Sequence, residues 1–99
     1  MTRRLRWTEQ AVDQLSAIAD YFSQTSPVYA ETLVTRVDAH LHRLVDFPEV
    51  GRLIPEADAP SVREVIEWPY RVIYRIRPEA IEVLAIVHVR RDLRAVPLN

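Results

Sequence analysis

Tyr70-Arg71-Val72-Ile73-Tyr74-Arg75-Ile76-Arg77, then Pro78-Glu79-Ala80, then Ile81-Glu82-Val83-Leu84-Ala85-Ile86-Val87-His88-Val89-Arg90-Arg91, forms two β-branched runs of alternating polarity around a short break that contains proline. Such a pattern predicts a β-hairpin. With Arg77 paired to Ala80 across the turn, the simplest tight register, Val72, Tyr74 and Ile76 share a face with Ile81, Val83, Ala85 and Val87. That face is apolar or aromatic throughout and suits a seat for helices; fully burying each aliphatic side chain on it contributes about 1.5–3 kcal/mol. The opposite face gathers Arg71, Ile73, Arg75 and Arg77 with Glu82, Leu84, Ile86 and His88. Arg75 then stands across from Glu82, and Arg71 lies a diagonal step from His88. A strip of Ile73, Leu84 and Ile86 is too apolar to stand bare on a soluble monomer, so the C-terminal tail or a partner chain should cover it. A one-residue slip would exchange the faces.

Upstream, Leu5 and Trp7 alternate with Arg4 and Arg6, which predicts a short first strand over residues 3–7. Thr8 is placed to cap a helix, with Glu9 favoured in its first turn by the helix dipole. Ala11, Leu15, Ile18, Ala19 and Phe22 then form a helical stripe. Ser26-Pro27 signals a second helix, with Ser capping and Pro at the first helical position. Its stripe is Ala30, Leu33, Val34, Val37, Leu41 and Leu44, and Pro48 ends it. Two such helices joined by about three residues must lie antiparallel. Residues 47–61 carry Pro48, Gly51, Pro55 and Pro60 and read as an irregular connection. Gly51 is the sole glycine, so a positive φ or a close backbone approach is expected there. Val62 to Trp68 resumes a strand pattern, broken by Pro69.

The order strand, helix, helix and three strands defines an α+β fold, with a helical hairpin on one face of a mainly antiparallel sheet. At 99 residues the chain is expected to form one domain, residues 1–99. Sequence leaves the strand order open.

Composition narrows the function classes. The chain has no cysteine, which removes disulfides and Cys-based zinc sites and fits a reducing cytoplasm. No apolar run approaches the ~18–20 residues that span a bilayer, and Met1-Thr2-Arg3-Arg4-Leu5-Arg6-Trp7 lacks the apolar core of a secretory leader, so no membrane role is expected. A net charge of −1 argues against bulk coating of nucleic acid. All thirteen basic residues are arginine, and from Arg71 onward six of them face only Glu79, Glu82 and Asp92. The C-terminal third is locally basic.

With one glycine, no phosphate-cradling loop can form, and no cofactor is implied. His40 and His42 are two residues apart on a helix and point in different directions, which suits surface positions better than a metal pair. His88, beside Arg90 and Arg91, could act as general acid or base, with arginines stabilising charge on a phosphate. Equally, it could be a strand-end histidine bonded to backbone. Arg71, Arg75, Arg90 and Arg91 have the chemistry to hold phosphates or an acidic segment, or to form ordinary solvated ion pairs such as Arg75–Glu82 and Arg91–Asp92. Glu64 and Glu67 lie near the Tyr70-Arg71 corner, with no other sign of a glycosidase cleft.

Arg63-Glu64-Val65-Ile66, the Tyr70–Ile76 run, and Val83-Leu84-Ala85-Ile86-Val87-His88-Val89-Arg90-Arg91-Asp92-Leu93, preceded by Phe47-Pro48-Glu49-Val50-Gly51-Arg52 and Pro55-Glu56, resemble the RelE/ParE superfamily. These are the toxins of bacterial type II toxin–antitoxin modules, and the resemblance runs from about Leu5 to Leu93. It implies one of two activities. RelE-like members are ribosome-dependent mRNA endonucleases, with lysines on the strand matching Val62–Ile66, arginines matching Arg71 and Arg91, and a tyrosine a few residues beyond. ParE-like members poison DNA gyrase. Here the lysines are absent, Arg63 is the only basic residue on that strand, and the tyrosine position falls near Pro97.

The resemblance therefore leans to the ParE-like branch, which is not an enzyme. In the RNase alternative, catalysis would fall to His88, Arg91 and Arg71, through 2′-OH attack and stabilisation of the pentacoordinate phosphate; an inactive antitoxin-binding module is a third reading. The resemblance also implies a cognate antitoxin of ParD type, a ribbon-helix-helix dimer through which any DNA contact would pass. Its wrapping segment is expected on Arg63, Arg71, Ile73, Arg75, Leu84, Ile86 and Arg90. The target is gyrase, or in the alternative the ribosome and its mRNA.

Overall fold

A computed structural model describes residues 3–57 and 59–98; Met1 and Thr2, where the leader reading begins, lie outside them. The elements are β1 (Arg4–Trp7), α1 (Glu9–Ser23), α2 (Pro27–Asp46), β2 (Arg52–Leu53), β3 (Val62–Glu67), β4 (Tyr70–Ile76) and β5 (Ala80–His88), with single 3-10 turns at Pro48–Val50 and Leu93–Ala95. The strands form one sheet in the order β1-β5-β4-β3-β2. The β1–β5 pair is parallel and the other three pairs are antiparallel. The expected α+β architecture is therefore the one observed, with β1 beside β5 and the two-residue β2 added within the stretch read as irregular. No helix among the described residues is long and apolar enough to cross a membrane.

Local chemistry accounts for the helices. Thr8 Oγ1 accepts the Ala11 amide at 3.2 Å and donates to the Val83 carbonyl at 2.9 Å, so one hydroxyl caps α1 and ties its start to β5. Ser26 makes no side-chain cap; its carbonyl instead accepts the Ala30 amide at 3.1 Å, and Pro27 supplies the preset φ at the start of α2. Ala11, Leu33, Val37, Leu41 and Leu44 are buried against Val72, Tyr74, Ile81, Val83 and Ile86, with Leu5, Trp7, Leu15 and Phe22 at the margins. Val34, placed on the buried stripe by spacing, lies exposed at its edge.

The β4–β5 register begins as the sequence predicts and then changes. Ile76 pairs with Ile81, Arg75 with Glu82 and Tyr74 with Val83, but Ile73 pairs with Ala85, leaving Leu84 as an extra residue in β5. This β-bulge reverses the facing of everything after it. Ala85 and Val87, expected under the helices, lie with Ile73 and Leu84 on the opposite face, and Ile86 moves to the helix face. The opposite face is covered by the chain itself: Ile54, Ala57, Ala59, Leu93, Val96 and Leu98 pack over Val62, Ile73, Leu84, Ala85 and Val87. Of the two covers considered for Ile73 and Leu84, the tail is the one in place.

Gly51 has φ −70° and ψ 156°, ordinary extended backbone, so of the two expectations for it close approach is the one that holds. A Cβ there would lie 2.7 Å from the Glu64 carbonyl and run into the Tyr74 ring and hydroxyl. That hydroxyl accepts the Gly51 amide at 3.0 Å and donates to the Pro48 carbonyl, fixing the turn after α2 to β4. Gly51→Ala should lower stability by about 1–3 kcal/mol, the range for overpacking a filled site. An unchanged urea midpoint would contradict that packing.

Candidate functional site

The alternation of β4 puts Arg71 on the face covered by the tail, where it is buried. On β3, Glu64 pairs in register with Ile73, so its side chain is a diagonal neighbour of Arg71 on the same face. Its carboxylate is fully buried and accepts from two sides, from Arg71 Nε and from Arg52 Nε at 2.6 Å. Arg71 also forks onto Glu56, with Nη1 at 3.0 Å and Nη2 at 3.2 Å from its two carboxylate oxygens. Two guanidiniums and two carboxylates thus form one continuous chain, Arg52–Glu64–Arg71–Glu56, beside an open pocket of about 440 Å3, lined by Arg52, Leu53, Pro55, Glu56, Arg71 and Val89.

The electrostatics follow from this geometry. The Arg71 hydrogen bonds, with a backbone N–H added, hold the Glu56 carboxyl below the ordinary value of 4.5. Glu56 in turn, followed by Glu64, raises the Arg71 guanidinium against the opposing effect of burial. Burial raises the Tyr74 and Tyr70 hydroxyls. Among the described residues no group of three His, Cys, Asp or Glu side chains could hold a metal ion.

The three residues considered for phosphoryl transfer are not brought together. Tyr70 pairs with His88, and their rings meet edge to face at 5.9 Å on the helix side of the sheet, whereas Arg71 pairs with Val87 on the other side. The diagonal contact expected between Arg71 and His88 is lost because the bulge flips His88. Its Nδ1 accepts the Arg90 amide at 3.1 Å, the backbone bond of the alternative reading. Arg91 is exposed in the turn after β5, with its amide on the His88 carbonyl at 2.9 Å.

The residues expected to meet a partner divide. Ile73, Leu84 and Ile86 are buried, at 0%, 1% and 2% exposure, so as the chain stands they offer no surface: the tail covers the first two and the helices cover Ile86. Arg63 donates to the Gly51 carbonyl at 2.9 Å, and Arg75 to the Leu98 carbonyl at 2.9 Å. Arg75 stands opposite Glu82 as expected, yet Glu82 takes its ion pairs from Arg6 at 3.3 Å and Arg77 at 3.5 Å. Arg90 is exposed.

Sequence reasoning missed Glu56 as a partner of Arg71 and Arg52 as the second cation on Glu64. A charged Glu64 between apolar positions of a strand was the available signal, because a buried carboxylate requires cations. His40, read as a surface residue, instead reaches Glu67 at 3.1 Å, with Arg36 3.7 Å from the same carboxylate.

The chain is similar to known proteins in sequence and, for one solved structure, in fold. The family model described as the ParE toxin of the type II toxin–antitoxin system, parDE, matches residues 5–93. The toxin RelE2 of Caulobacter vibrioides is 33% identical over 85 residues, covering 86% of this chain and 93% of the relative. The putative toxin Y4kP of Sinorhizobium fredii is 30% identical over 92 residues, covering 91% and 92%. A solved structure described as a chromosomal ParDE TA system from P. aeruginosa superposes with a TM-score of 0.69 at 26% identity, over 88% of this chain and 96% of that one.

Two measurements test the network. Arg71→Ala strands a buried Glu64 with Arg52 alone, and should cost about 3 kcal/mol, the low end for breaking a buried pair; a loss below about 1 kcal/mol in chemical denaturation would mean Glu64 is satisfied without it. Glu56 has a depressed folded pKa, so its contribution is present above pH 4.5 and fades as pH falls through the lower value. Wild type should therefore lose more stability than Glu56→Gln as pH is lowered from 4.5; parallel profiles would remove Glu56 from the network.

Proposed function

We propose, from the chain's place in the family of ParE toxins of type II toxin–antitoxin systems, to which it belongs, that it arrests growth by binding DNA gyrase and is not itself an enzyme. The observation that carries this reading is the commitment of Arg71. Its Nε, Nη1 and Nη2 all donate to carboxylates of the same chain, so it is not poised for a scissile phosphate. The pair His88 and Arg71 on opposite faces adds to it, as do the absence of lysine and the proline at position 97.

A cognate antitoxin is the second part of the proposal. The similar solved structure is described as a ParDE system, which supports a partner of ParD type, and DNA contact would then pass through that partner. The cytoplasm, where gyrase works, is the proposed site of action.

The RelE-like reading draws on the name of the Caulobacter relative and on Arg71 and Arg91 standing where that branch has arginines. Purified toxin assayed against gyrase supercoiling and against ribosome-bound mRNA separates the two. Inhibited supercoiling with intact mRNA is expected, and Arg91→Ala should leave that inhibition in place. Site-specific mRNA cleavage that Arg91→Ala or His88→Ala abolishes would overturn the proposal. Failure to arrest growth on expression would favour an inactive antitoxin-binding module.

A further inference from the structure

Strand β1 ends the sheet on one side, with β5 as its neighbour. In their parallel ladder the Arg4 amide donates to the Glu79 carbonyl and the Thr8 amide to the Val83 carbonyl, each at 3.0 Å, with Arg6 opposite Glu82 between them. Residues 4, 6 and 8 therefore direct their backbone groups at β5, and those of Leu5 and Trp7 point outward. Among the described residues no hydrogen bond reaches the outward groups. An edge of this kind is a template for another strand.

Its two sides differ. On the helix side, where Leu5 and Trp7 pack half-buried against the core, Trp7 lines an open depression of about 230 Å3 with Leu15, Val34, Thr35, Val37 and Asp38. The acid there, Asp38, lies 3.4 Å from His42. On the opposite side Arg4 and Arg6 are exposed. Arg6 stands 3.3 Å from one oxygen of Glu82 and Arg77 3.5 Å from the other, while Arg75, across from Glu82 on the same face, donates to the Leu98 carbonyl. Arg4 has no carboxylate within ion-pair distance among the described residues. Glu79 of the β4–β5 turn is the other acid at this end, and Glu9 lies past Thr8, at the far end of the strand from Arg4. With Glu79 counted, Arg4, Arg6, Arg75 and Arg77 still outnumber the carboxylates, so this side of the edge is basic.

We propose that β1 is the docking edge for an extended acidic segment of the antitoxin partner, which adds to the sheet as a further strand. Main-chain bonds to Leu5 and Trp7 supply affinity, and alternate side chains read the two sides: apolar ones meet Trp7 and Val34, acidic ones meet Arg4 and Arg6. A second copy of this chain is disfavoured, because two β1 strands paired edge to edge would set Arg4 and Arg6 of one against those of the other. The edge takes the place of Ile73, Leu84 and Ile86, which the folded chain buries. The partner's identity rests on the reading above; the position of the edge does not.

Residue-resolved amide exchange on the complex with the cognate antitoxin tests it. Exchange at Leu5 and Trp7, fast in the free chain, should slow by roughly tenfold or more on binding, while Arg4 and Arg6, already bonded to β5, change little. Arg4→Glu combined with Arg6→Gln should weaken antitoxin binding by roughly tenfold or more with thermal unfolding unchanged, and Arg4→Lys combined with Arg6→Lys should bind as wild type does. Unprotected Leu5 and Trp7 amides in a formed complex, equal binding by the Arg4→Glu, Arg6→Gln variant, or protection of both amides in the free chain would each overturn the site. If the antitoxin does not bind wild type, the partner assignment fails by itself, and a synthetic peptide that alternates glutamate with valine decides the edge. Protection of Leu5 and Trp7 by that peptide and not by a lysine–valine counterpart supports it; protection by both or by neither refutes it.

Discussion

One extra residue in β5 governs how this chain folds. Leu84 has no partner in β4, so both faces of the sheet are built from two registers joined at that point. A bulge leaves backbone groups outside the ladder, and β1 stops at Trp7 opposite Val83, so the adjoining edge of β5 also lacks a strand. Helix α1 supplies what is missing. Gln10 Nε2 donates to the Leu84 carbonyl at 2.9 Å and Gln14 Oε1 accepts the Ile86 amide at 2.8 Å, while Thr8 caps the helix and bonds to Val83. The start of α1 is thereby fixed to the bulge, which sets the position of the helical hairpin.

The second face depends on the same shift. Ala85 and Val87 give it enough apolar surface, with Ile73 and Leu84, for residues 54–59 and the tail to pack on, among the residues described there. Under that cover Glu64 is held between Arg52 and Arg71, and Arg71 reaches out to Glu56 on the covering segment. Ion pairs buried this way add little net stability, but they tolerate no missing member. They register the loop against the sheet. An arginine held in this manner has a structural task, since its Nε, Nη1 and Nη2 each already meet a carboxylate of the same chain.

Much of this was legible in the residues, for identifiable reasons. The helices followed from period and from Thr8, and the first half of the hairpin from its Pro78-Glu79 turn, because local chemistry alone sets those features. The bulge was not legible, since Val83-Leu84-Ala85-Ile86-Val87 is apolar at every position and alternation carries no phase there. That one gap displaced Ala85, Ile86, Val87 and His88 to the wrong faces, and with them the supposed neighbourhood of His88 and Arg71. The Arg52–Glu64–Arg71–Glu56 network was hidden for another reason: it joins an edge strand of two residues to a loop, and nothing local specifies either.

The tail has a consequence for reading the C-terminus. Leu93 and Val96 are buried, the Leu98 carbonyl accepts from Arg75 and the Pro97 carbonyl accepts from Gln10. These contacts cover the apolar strip that would otherwise face solvent. Shortening the chain here would expose Ile73 and Leu84 and remove acceptors from Arg75 and Gln10 together. A loss of toxicity on such a truncation would thus report the opening of the second core before it reported a contact with any target, and the two become separable only through exposed side chains that neither core uses.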